Sequence, residues 1–529
     1  MHLLARPLGG SRLVRDYLTG VGAAEGFYCG GPFNLDSYRV RAEELDGAGD
    51  PGRLATAAAI IRPAGPVARS ALSAVIRDGG FFVTTGQQPG LFGGPLYSLY
   101  KALTAARLAE ELSDALDRPV MPLFWVASDD HDWDEANHTH IIDGSNQLLR
   151  LTLGDGTPEA RRPLGVTRLG SDVEEVIEEL AGNFPPNDYH ARYMDLLRDT
   201  FTSTATMGSA FSAFMAELLR HTPVGLIDAG DPRLKEASRP IFRAEAEDPE
   251  GAEAALRQTG AAITAAGYDL QVSLLPGAAN LFLDSQTGRE RLQRATGGFW
   301  LKRSDRHLSR QRIMRLVEES PHTISPNVLL RPVVESSIFP TLAYVGGPGE
   351  LAYFGQLAGL FRFHGVGMPI VTPRASLLVV EGKVAKVMEK FGVTADDVRE
   401  GDALASSIAR DHLPAEVSGP IARWRATVES LAQELGDACV ELDPGLRGTV
   451  LKTRNAGLDA LGTLEKKMVR AVKRRNRTTS SQIEKARINL WPGGKPQDRM
   501  LSPMQYLLRY GDGFVSMARR EIRVELLRD

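Results

Sequence analysis

The densest group of side chains capable of chemistry lies at 128–140, in the stretch SDDHDWDEANHTH. Its carboxylates and imidazoles suit general acid–base catalysis or metal ligation. His131, Glu135 and His138 are spaced at i, i+4 and i+7, so on a helix they would share one face. The zinc signature H-E-x-x-H is absent. Because burying so many ionisable groups without a use is costly, we interpret the stretch as part of a site, with Asp130, His131 and His138 as candidate catalytic residues.

Two glycine-rich loops follow short β-rich runs and lead into predicted helices. They are GQQPGLFGGP at 86–95 and GGPGE at 346–350. Backbone N–H groups at a helix N-terminus favour phosphate or carboxylate, although either loop can instead be a packing turn. The first loop contains neither the Walker A nor the G-x-G-x-x-G motif. The candidate substrate- or nucleotide-binding residues in and beside them are Gly86, Gln87, Gln88, Gly93, Gly94, Tyr97, Gly347, Gly349 and Glu350.

Two arginines beside prolines, Arg331 and Arg374, have the geometry to hold a carboxylate or phosphate through paired hydrogen bonds. An arginine is more often an ion-pair or surface residue, so each alone is a weak indication. Asp228 ends the apolar run VGLI, and Ser376 closes the segment PRAS. We add these four residues to the candidate binding set.

The candidate residues follow apolar runs that are typical of buried strands. VMPLFWVA at 120–127 is almost unbroken, as expected for a strand covered on both faces. Strand, helix and strand over 81–127, and again over 342–372, predict two βαβ units. In an open α/β sheet, ligands bind outside the carboxyl ends of the strands. The loops after the predicted strands should therefore share one cleft.

The order of these elements predicts an α/β fold with a doubly wound parallel sheet, interrupted by two inserted helical segments. We expect a first core part at 1–150, a first insertion at 151–222, a core strand segment at 223–240, a second insertion at 241–335 and a last core part at 336–376.

The region 377–529 is predicted to be helical. Apolar residues over 421–442 alternate steps of three and four, which is a heptad pattern. Asp-Pro-Gly at 443–445 breaks the pattern, and a second apolar stripe follows over 451–472. The spacing predicts an antiparallel helical hairpin. Since its stripes need more partner surface than the hairpin supplies, we also expect a homodimer through this region.

Composition excludes several classes of protein. Lys and Arg number 62 against 66 Asp and Glu, for a formal charge of -4, which argues against a dedicated nucleic-acid or anionic-membrane binder. The sequence has only two cysteines and neither a signal peptide nor a membrane span. We therefore expect a cytoplasmic protein.

The motifs, in this order, resemble the bacillithiol biosynthesis cysteine-adding enzyme family. The matching segments are TTGQQPGLFGGPLYSLYKA at 84–102, PLFWVASDDHDWDEANH at 122–138, GLIDAGDPRLKEASRPIF at 225–242, LLRPVVESSIFPTLAYVGGPGELAYFGQL at 329–357, MPIVTPRAS at 368–376 and LWPGGKPQDRMLSPMQYLLRYG at 490–511. Together they span most of the chain.

The resemblance implies a Rossmann-like core related to class I aminoacyl-tRNA-synthetase-type nucleotidyltransferases, with a coiled coil that dimerises. It also implies a ligase that joins cysteine to glucosaminyl-malate. A carboxylate does not react with an amine at neutral pH without activation, so we expect ATP with Mg²⁺, through an adenylate or an acyl phosphate, and no tightly bound metal. The His-x-Gly-His and Lys-Met-Ser-Lys-Ser motifs of class I enzymes are absent; Gly-Gly-Pro at 93–95 and Pro-Arg-Ala-Ser at 373–376 stand in their places.

Two other functions remain open at this point. The 129–140 cluster would also suit a metal-dependent hydrolase, and the helical hairpin would suit a dimeric scaffold without catalysis. A second nucleotide-phosphate site, separate from the cleft, is a further hypothesis for the glycine-rich basic segment near the C-terminus. Its candidate residues are Trp491, Gly493, Gly494, Lys495 and Arg499.

Overall fold

The computed structural model describes residues 1–48, 52–154 and 161–524 of the chain. These residues form two compact units. The larger comprises 3–378 and the segment from 498 onward, and the smaller comprises 1–2 and 379–497.

The described residues contain the following strands: β1 (His2–Ala5), β2 (Arg62–Pro63), β3 (Phe81–Gln87), β4 (Val120–Val126), β5 (His138–Ile142), β6 (Leu148–Thr152), β7 (Gly225–Asp228), β8 (Ala278–Ser285), β9 (Gly288–Ala295), β10 (Gly298–Leu301), β11 (Arg306–Ser309), β12 (Ile324–Pro326), β13 (Thr341–Gly346), β14 (Ile370–Pro373) and β15 (Leu377–Val380).

The α-helices are α1 (Arg12–Thr19), α2 (Leu35–Gly47), α3 (Arg53–Ile60), α4 (Pro66–Asp78), α5 (Tyr97–Leu116), α6 (Trp133–Ala136), α7 (Asp172–Gly182), α8 (His190–Thr200), α9 (Met207–Leu219), α10 (Pro232–Ala237), α11 (Arg239–Glu247), α12 (Pro249–Ala265), α13 (Arg310–Glu319), α14 (Arg331–Ile338), α15 (Pro348–Phe363), α16 (Gly382–Phe391), α17 (Ala395–Arg399), α18 (Asp402–Asp411), α19 (Ala415–Cys439), α20 (Leu446–Arg475), α21 (Arg477–Leu490), α22 (Gln497–Met500), α23 (Met504–Tyr510) and α24 (Asp512–Glu521). Short 3₁₀ helices lie at Ala24–Phe27, Leu91–Gly93, Pro321–Thr323 and Pro492–Gly494.

The larger unit is built on a six-stranded sheet of order β14-β13-β3-β4-β7-β2. All its pairings are parallel except that of β2 with β7, at one edge. The predicted βαβ units are confirmed: α5 connects β3 to β4, and α15 connects β13 to β14. In register, Gln87 is opposite Val126, and Val126 is opposite Asp228, so these strands end side by side.

Alternation of side chains along the strands gives the sheet two apolar faces. Phe82 of β3 and Trp125 of β4 face a core that includes α15, whereas Phe81 and Val83 face a core that includes α5. Every residue of β4 is buried, as the unbroken apolar run predicted. Helices on both faces hold the strand ends in place and leave their carboxyl edge open for a site.

The second insertion differs from the predicted helical segment. Besides α11, α12 and α13, it contains a five-stranded antiparallel sheet of order β11-β10-β9-β8-β12. Its strand β9 reads GRERLQRA, whose charged residues do not resemble a buried strand. Glu290 is nevertheless buried, and it accepts hydrogen bonds from Ser285 and Thr287. Hydrogen bonds to Glu290 therefore stabilise this strand in place of the alternating apolar residues by which strands were predicted.

The smaller unit contains the predicted helical hairpin, formed by α19 and α20. Arg425 pairs with Glu465 across it at 3.2 Å. Leu461 of the second apolar stripe is buried, but Leu431 and Leu435 of the first are 58% and 55% exposed. The hairpin thus leaves much of the first stripe exposed, and Leu451 of the second is 38% exposed as well.

The end of the chain is helical, as predicted for 377–529, but it does not belong to the unit that holds the hairpin. Residues from 498 onward belong to the larger unit, where α24 packs on α5 and α23 packs on α8. Arg519 of α24 forms an ion pair with Glu110 of α5. Across the part of the chain that the structure describes, none of the helices combines the length and apolar character needed to cross a membrane.

Candidate active site

A cavity of about 730 Å³ opens at the carboxyl edge of the six-stranded sheet. The loops after β3, β4, β13 and β14 all reach it, as the strand order predicted, and the inserted sheet supplies another wall. Predicted site residues that line it are Gly86, Gln87, Gln88, Tyr97, Asp130, His131, Arg331, Gly347, Gly349, Glu350, Arg374 and Arg499.

The N-terminus of α15 carries its own carboxylate. Glu350 accepts the backbone N–H of Gly347 at 2.8 Å, and it also accepts the Tyr344 hydroxyl. The buried Lys101 ammonium forms an ion pair with the same carboxylate and donates to the Gly86 carbonyl at 2.8 Å. Although burial raises the pKa of Glu350, Lys101 and the Gly347 N–H together hold it below its usual value. This pair ties the loop after β3 to the loop after β13.

Arg331 brings a guanidinium into the cavity from the start of α14. It pairs with the buried Glu335 at 2.8 Å and lies over the rings of Tyr344 and Trp125. Thr84 of β3 donates to Glu335 at 2.6 Å and fixes this carboxylate. Arg331 Nη2 is buried and has no hydrogen-bond partner among the described residues. A buried cationic donor without a partner, in the wall of a cavity, is suited to an anionic ligand.

Arg374 lies on the same side of the cavity and is already paired. Its Nη1 donates to Asp498 at 2.6 Å, and Ser376 donates to the same carboxylate at 3.0 Å. The guanidinium lies 5.2 Å from the ring centroid of Tyr97, whose pKa burial raises to about 12. Arg499 lines the cavity nearby and forms no ion pair with the described residues. The charge of Arg374 is therefore held in place by Asp498, whereas Arg499 has no ion-pair partner among the described residues.

The loop after β4 also lines the cavity. Asp130 accepts the Gln88 side-chain amide and the backbone N–H of His131, the latter at 2.6 Å. Asp132 caps α6 by accepting the N–H of Glu135 at 3.2 Å. These hydrogen bonds hold the loop in a defined conformation beside the glutamines that follow β3.

His131 contacts the inserted sheet as well as its own loop. Its Nδ1 lies 3.5 Å from Nη1 of Arg289, and its ring lies 6.1 Å from that of Phe282. Burial lowers the pKa of His131, and the charge of Arg289 lowers it further, below the usual 6.5. The imidazole is therefore neutral at pH 7 and can accept a proton.

A buried ion pair supports the base of this wall. Lys235 of α10 donates to Asp129 at 3.0 Å. Although burial raises the pKa of Asp129, Lys235 and Arg289 hold it below its usual value. The pair anchors the start of the acidic loop.

Several predicted residues lie outside the cavity lining. Asp228 accepts the Ser128 hydroxyl and the Gly230 N–H, so it fixes the loops after β4 and β7 to each other. Gly93 and Gly94 form a packing turn: both have positive φ, and a Cβ at Gly93 would meet the Phe214 ring at 2.7 Å. Ser376 acts through Asp498, as described above.

His138 also lies outside the lining. Its spacing predicted a helix face shared with His131, but α6 ends at Ala136 and His138 begins β5. Its Nδ1 is 3.2 Å from Asn137 Oδ1, and its ring packs edge-on against His140. This position does not support the catalytic role expected for it.

The group proposed as a second nucleotide site is divided between the two units. Trp491, Gly493, Gly494 and Lys495 belong to the smaller unit, whereas Arg499 belongs to the larger. Within the smaller unit, the Trp491 indole N–H donates to the Ala395 carbonyl at 2.7 Å, and Arg399 lies over its ring. Trp491 therefore has a structural role there.

Sequence reasoning missed two important residues of the cavity, Lys101 and Arg289. Lys101 lies on a helix predicted to be amphipathic, next to the apolar position Tyr100, and such a lysine usually faces solvent. A signal was present, because α5 is almost entirely apolar near Lys101. Arg289 comes from a strand that was not predicted, and no local motif marks it.

The described residues contain no group of three or more His, Cys, Asp or Glu side chains arranged to hold a metal ion. Metal-dependent hydrolases usually hold their metal through such a group. The hydrolase interpretation of the 129–140 cluster thus gains no support from the described part of the chain.

The sequence matches two family descriptions. "Bacillithiol biosynthesis BshC, N-terminal Rossmann-like domain" matches residues 3–375, and "Bacillithiol biosynthesis BshC, C-terminal coiled-coil domain" matches residues 377–523.

Individual relatives agree with this match. The chain is similar to a protein of Salinibacter ruber, with 34% identity over 445 residues that cover 84% of this chain and 81% of the relative. A protein of Symbiobacterium thermophilum is 31% identical over 517 residues, or 93% of this chain and 91% of the relative. A protein of Chlorobaculum tepidum is 30% identical over 459 residues, or 82% and 79%. All three are named "Putative cysteine ligase BshC".

Proposed function

Because this chain belongs to the BshC family of bacillithiol biosynthesis, we propose that it joins cysteine to glucosaminyl-malate by forming an amide bond, driven by ATP. The observation that carries the proposal is the distribution of charge in the cavity. The lining carries the cations Arg331, Arg374 and Arg499 and also the loop with Asp130 and His131. Ligation of this kind needs cations for two anionic reactants and a neutral base for one proton.

The activation step can use the cations of Arg331, Arg374 and Arg499. The cysteine carboxylate attacks a phosphorus atom of ATP, which forms an adenylate with loss of pyrophosphate or an acyl phosphate with loss of ADP. Both reacting groups are anions, so their approach is unfavourable without fixed positive charge. Arg331 Nη2 provides a donor that no described residue uses.

The second step can use the loop that carries Asp130 and His131. The amine of the glucosamine attacks the activated carbonyl carbon, the new C–N bond forms, and AMP or phosphate leaves with the electron pair. The attacking nitrogen must lose a proton, and the neutral His131 can accept it. Asp130 holds the backbone of His131 by the hydrogen bond at 2.6 Å and so keeps the base in position.

Magnesium would accompany ATP in this reaction. Mg²⁺ usually binds to nucleotide phosphates, waters and one or two protein carboxylates. The exposed carboxylates of Asp132, Asp134 and Glu135 line the cavity and could supply such a ligand. When bound, the ion would neutralise charge on the phosphates.

The test is a reconstituted reaction with purified protein, cysteine, glucosaminyl-malate, ATP and Mg²⁺, followed by mass spectrometry. We expect bacillithiol as the product. His131→Ala should abolish product formation, and His138→Ala is the matched control, since it removes a nearby imidazole, at the start of β5, outside the cavity lining. For the active protein, the rate should fall as pH is lowered through the pKa of His131, because protonation removes the base; that fall should occur below pH 6.5.

Either of two results would contradict the proposal. Absence of bacillithiol under every nucleotide condition would exclude ATP-driven ligation by this protein alone. Equal activity of the His131→Ala and His138→Ala proteins would exclude His131 as the base. Melting temperatures of both variants must be measured, because loss of folding would also remove activity.

We also propose that the protein is a homodimer through the helical hairpin. Trp424, Leu431, Leu435 and Leu442 are exposed at heptad-like spacing, and Leu442 is 81% exposed. A stripe of this kind usually packs against another helix. A second copy of the chain offers the same stripe and so a self-complementary surface.

Sedimentation analysis should therefore give twice the mass of one chain at micromolar concentration. Leu431→Glu with Leu435→Glu should produce monomers, because the charges would be buried in the interface. Val67→Glu, at a site 46% exposed on α4, is the control and should leave the mass unchanged. A wild-type protein that stays monomeric at micromolar concentration would exclude the dimer.

A further inference from the structure

The inserted antiparallel sheet presents two arginines beside His131. Arg289 and Arg291 are two residues apart on β9, so their side chains leave the same face of the sheet. Both guanidiniums lie over the ring of Phe282, at 4.1 and 4.9 Å from its centroid. Phe282 is opposite Arg291 in the register of β8 and β9. The two guanidinium groups therefore lie against the same aromatic ring.

Neither charge is neutralised by an ion pair with the described residues. Arg289 donates to the Ser325 hydroxyl at 2.8 Å and to a backbone carbonyl at 2.7 Å, both of which are uncharged. Asp284 is opposite Arg289 in register but forms no ion pair with it. The side chain of Arg291 makes no hydrogen bond within the described chain. Burial lowers the pKa of Arg291, and the like charge of Arg289 lowers it further. A bound anion would relieve this repulsion.

The two arginines line adjoining spaces. Arg289 lines the main cavity, and Arg291 lines a smaller cavity of about 100 Å³. The cavities share Val272, Asn327 and Val328 in their walls. A ligand that contacts both arginines would have to cross this shared boundary.

We propose that Arg289 and Arg291 bind the dicarboxylate end of the acceptor substrate, with one carboxylate at each guanidinium. Two guanidiniums beside one ring offer a charge-assisted partner to each carboxylate of a diacid. The assignment rests on the proposed function and adds an orientation to it. The acidic end of the acceptor lies against the inserted sheet, and Arg331 remains for the cysteine carboxylate and the activating phosphate.

The test uses the full chain and free malate as the probe, titrated by calorimetry without cysteine or ATP. Arg291→Gln should weaken malate binding by about tenfold, the loss expected when one charge-assisted hydrogen bond is removed. Arg291 makes no ion pair in the described protein, so this variant should fold. Arg306→Gln, an exposed arginine on β11 of the same sheet, is the matched control and should bind malate like the wild type.

Two further measurements distinguish a diacid site from a phosphate site or a purely structural pair of arginines. Bound malate should raise the pKa of His131 in an NMR titration, because its negative charge offsets that of Arg289. In the ligation assay, Arg291→Gln should raise KM for the acceptor and leave kcat nearly unchanged.

Malate binding that is equal in wild type, Arg291→Gln and Arg306→Gln would overturn the assignment. So would a tenfold loss of inorganic phosphate binding in Arg291→Gln with malate unaffected, which would make this a phosphate site. Arginine-dependent malate binding without any ligation would preserve the site and refute only the proposed function.

Discussion

Lys101→Met should lower the free energy of unfolding of the larger unit by about 3 kcal/mol. The substitution leaves the Glu350 carboxylate without its cation, held only by Tyr344 and the Gly347 N–H. Removing one partner of a fully buried ion pair costs about 3–5 kcal/mol. The lower end applies here, because the Glu350 side chain keeps 22% of its exposure whereas Lys101 keeps 3%. Denaturant unfolding followed by tryptophan fluorescence would measure the change.

Two further variants test this reason for the loss. Adding Glu350→Gln to Lys101→Met should restore most of the stability, because the amide oxygen can accept the Gly347 N–H, the amide NH2 can donate to the Tyr344 hydroxyl oxygen, and a neutral side chain needs no cation. Lys302→Met, at an exposed position after β10, should change the free energy of unfolding by less than about 0.5 kcal/mol. If the double variant is no more stable than Lys101→Met, the loss comes from packing and not from an unpaired charge.

The same pair predicts a pH dependence. The folded protein holds the pKa of Glu350 below its usual 4.5. The stability that this carboxylate contributes is therefore present above pH 4.5 and is lost as pH falls through its folded pKa. The difference between wild type and Lys101→Met should shrink over that acidic range. A difference that stays constant down to about pH 3, well below the usual glutamate pKa, would mean that Glu350 does not titrate with the pair.

The parts of the site that could be predicted are those that follow directly from strand order. Apolar runs identified β3, β4 and β13, and parallel strands end at the same edge of a sheet. Gln88, Asp130 and Gly347 therefore had to meet, and they do. The sequence could not show which residues of the 86–95 loop line the cavity and which serve packing. Gln87 and Gln88 reach the cavity, whereas Gly93 packs against Phe214, and nothing in the local sequence distinguishes the two halves.

The parts that could not be predicted depend on tertiary contacts. Residues after 498 cover α5, so a helix that reads as amphipathic is buried around Lys101. Arg289 and Arg291 belong to a strand in which hydroxyl groups satisfy a buried glutamate. Periodicity records apolar faces only, and it does not detect strands stabilised by such polar pairing. The wall of the site beside His131 is therefore visible only in the structure.

Arg331→Met combined with Glu335→Gln should lower kcat for amide formation by about 10²–10³-fold, the usual effect of removing one donor to a developing negative charge. Glu335→Gln is included because Arg331→Met alone would leave a buried carboxylate unpaired and destabilise the protein. In the double variant, the amide introduced by Glu335→Gln can still accept the Thr84 hydrogen bond. The fold should therefore survive while the guanidinium is lost, and steady-state kinetics with cysteine as the varied substrate would measure the effect.

The matched control is Glu335→Gln alone, which keeps Arg331 and removes only its internal partner. It should retain most of the activity, because Nη2, the donor without a described partner, is still present. Arg331→Lys with Glu335→Gln should be intermediate, since an ammonium supplies charge without the planar fork of the guanidinium. If the Arg331→Met double variant stays within about tenfold of the Glu335→Gln control, its loss is well short of the usual loss for such a donor. Arg331 would then serve the fold, and another cation of the cavity, such as Arg499, would hold the activating phosphate. A large loss confined to the variants without the guanidinium would instead assign Arg331 to the transition state of cysteine activation.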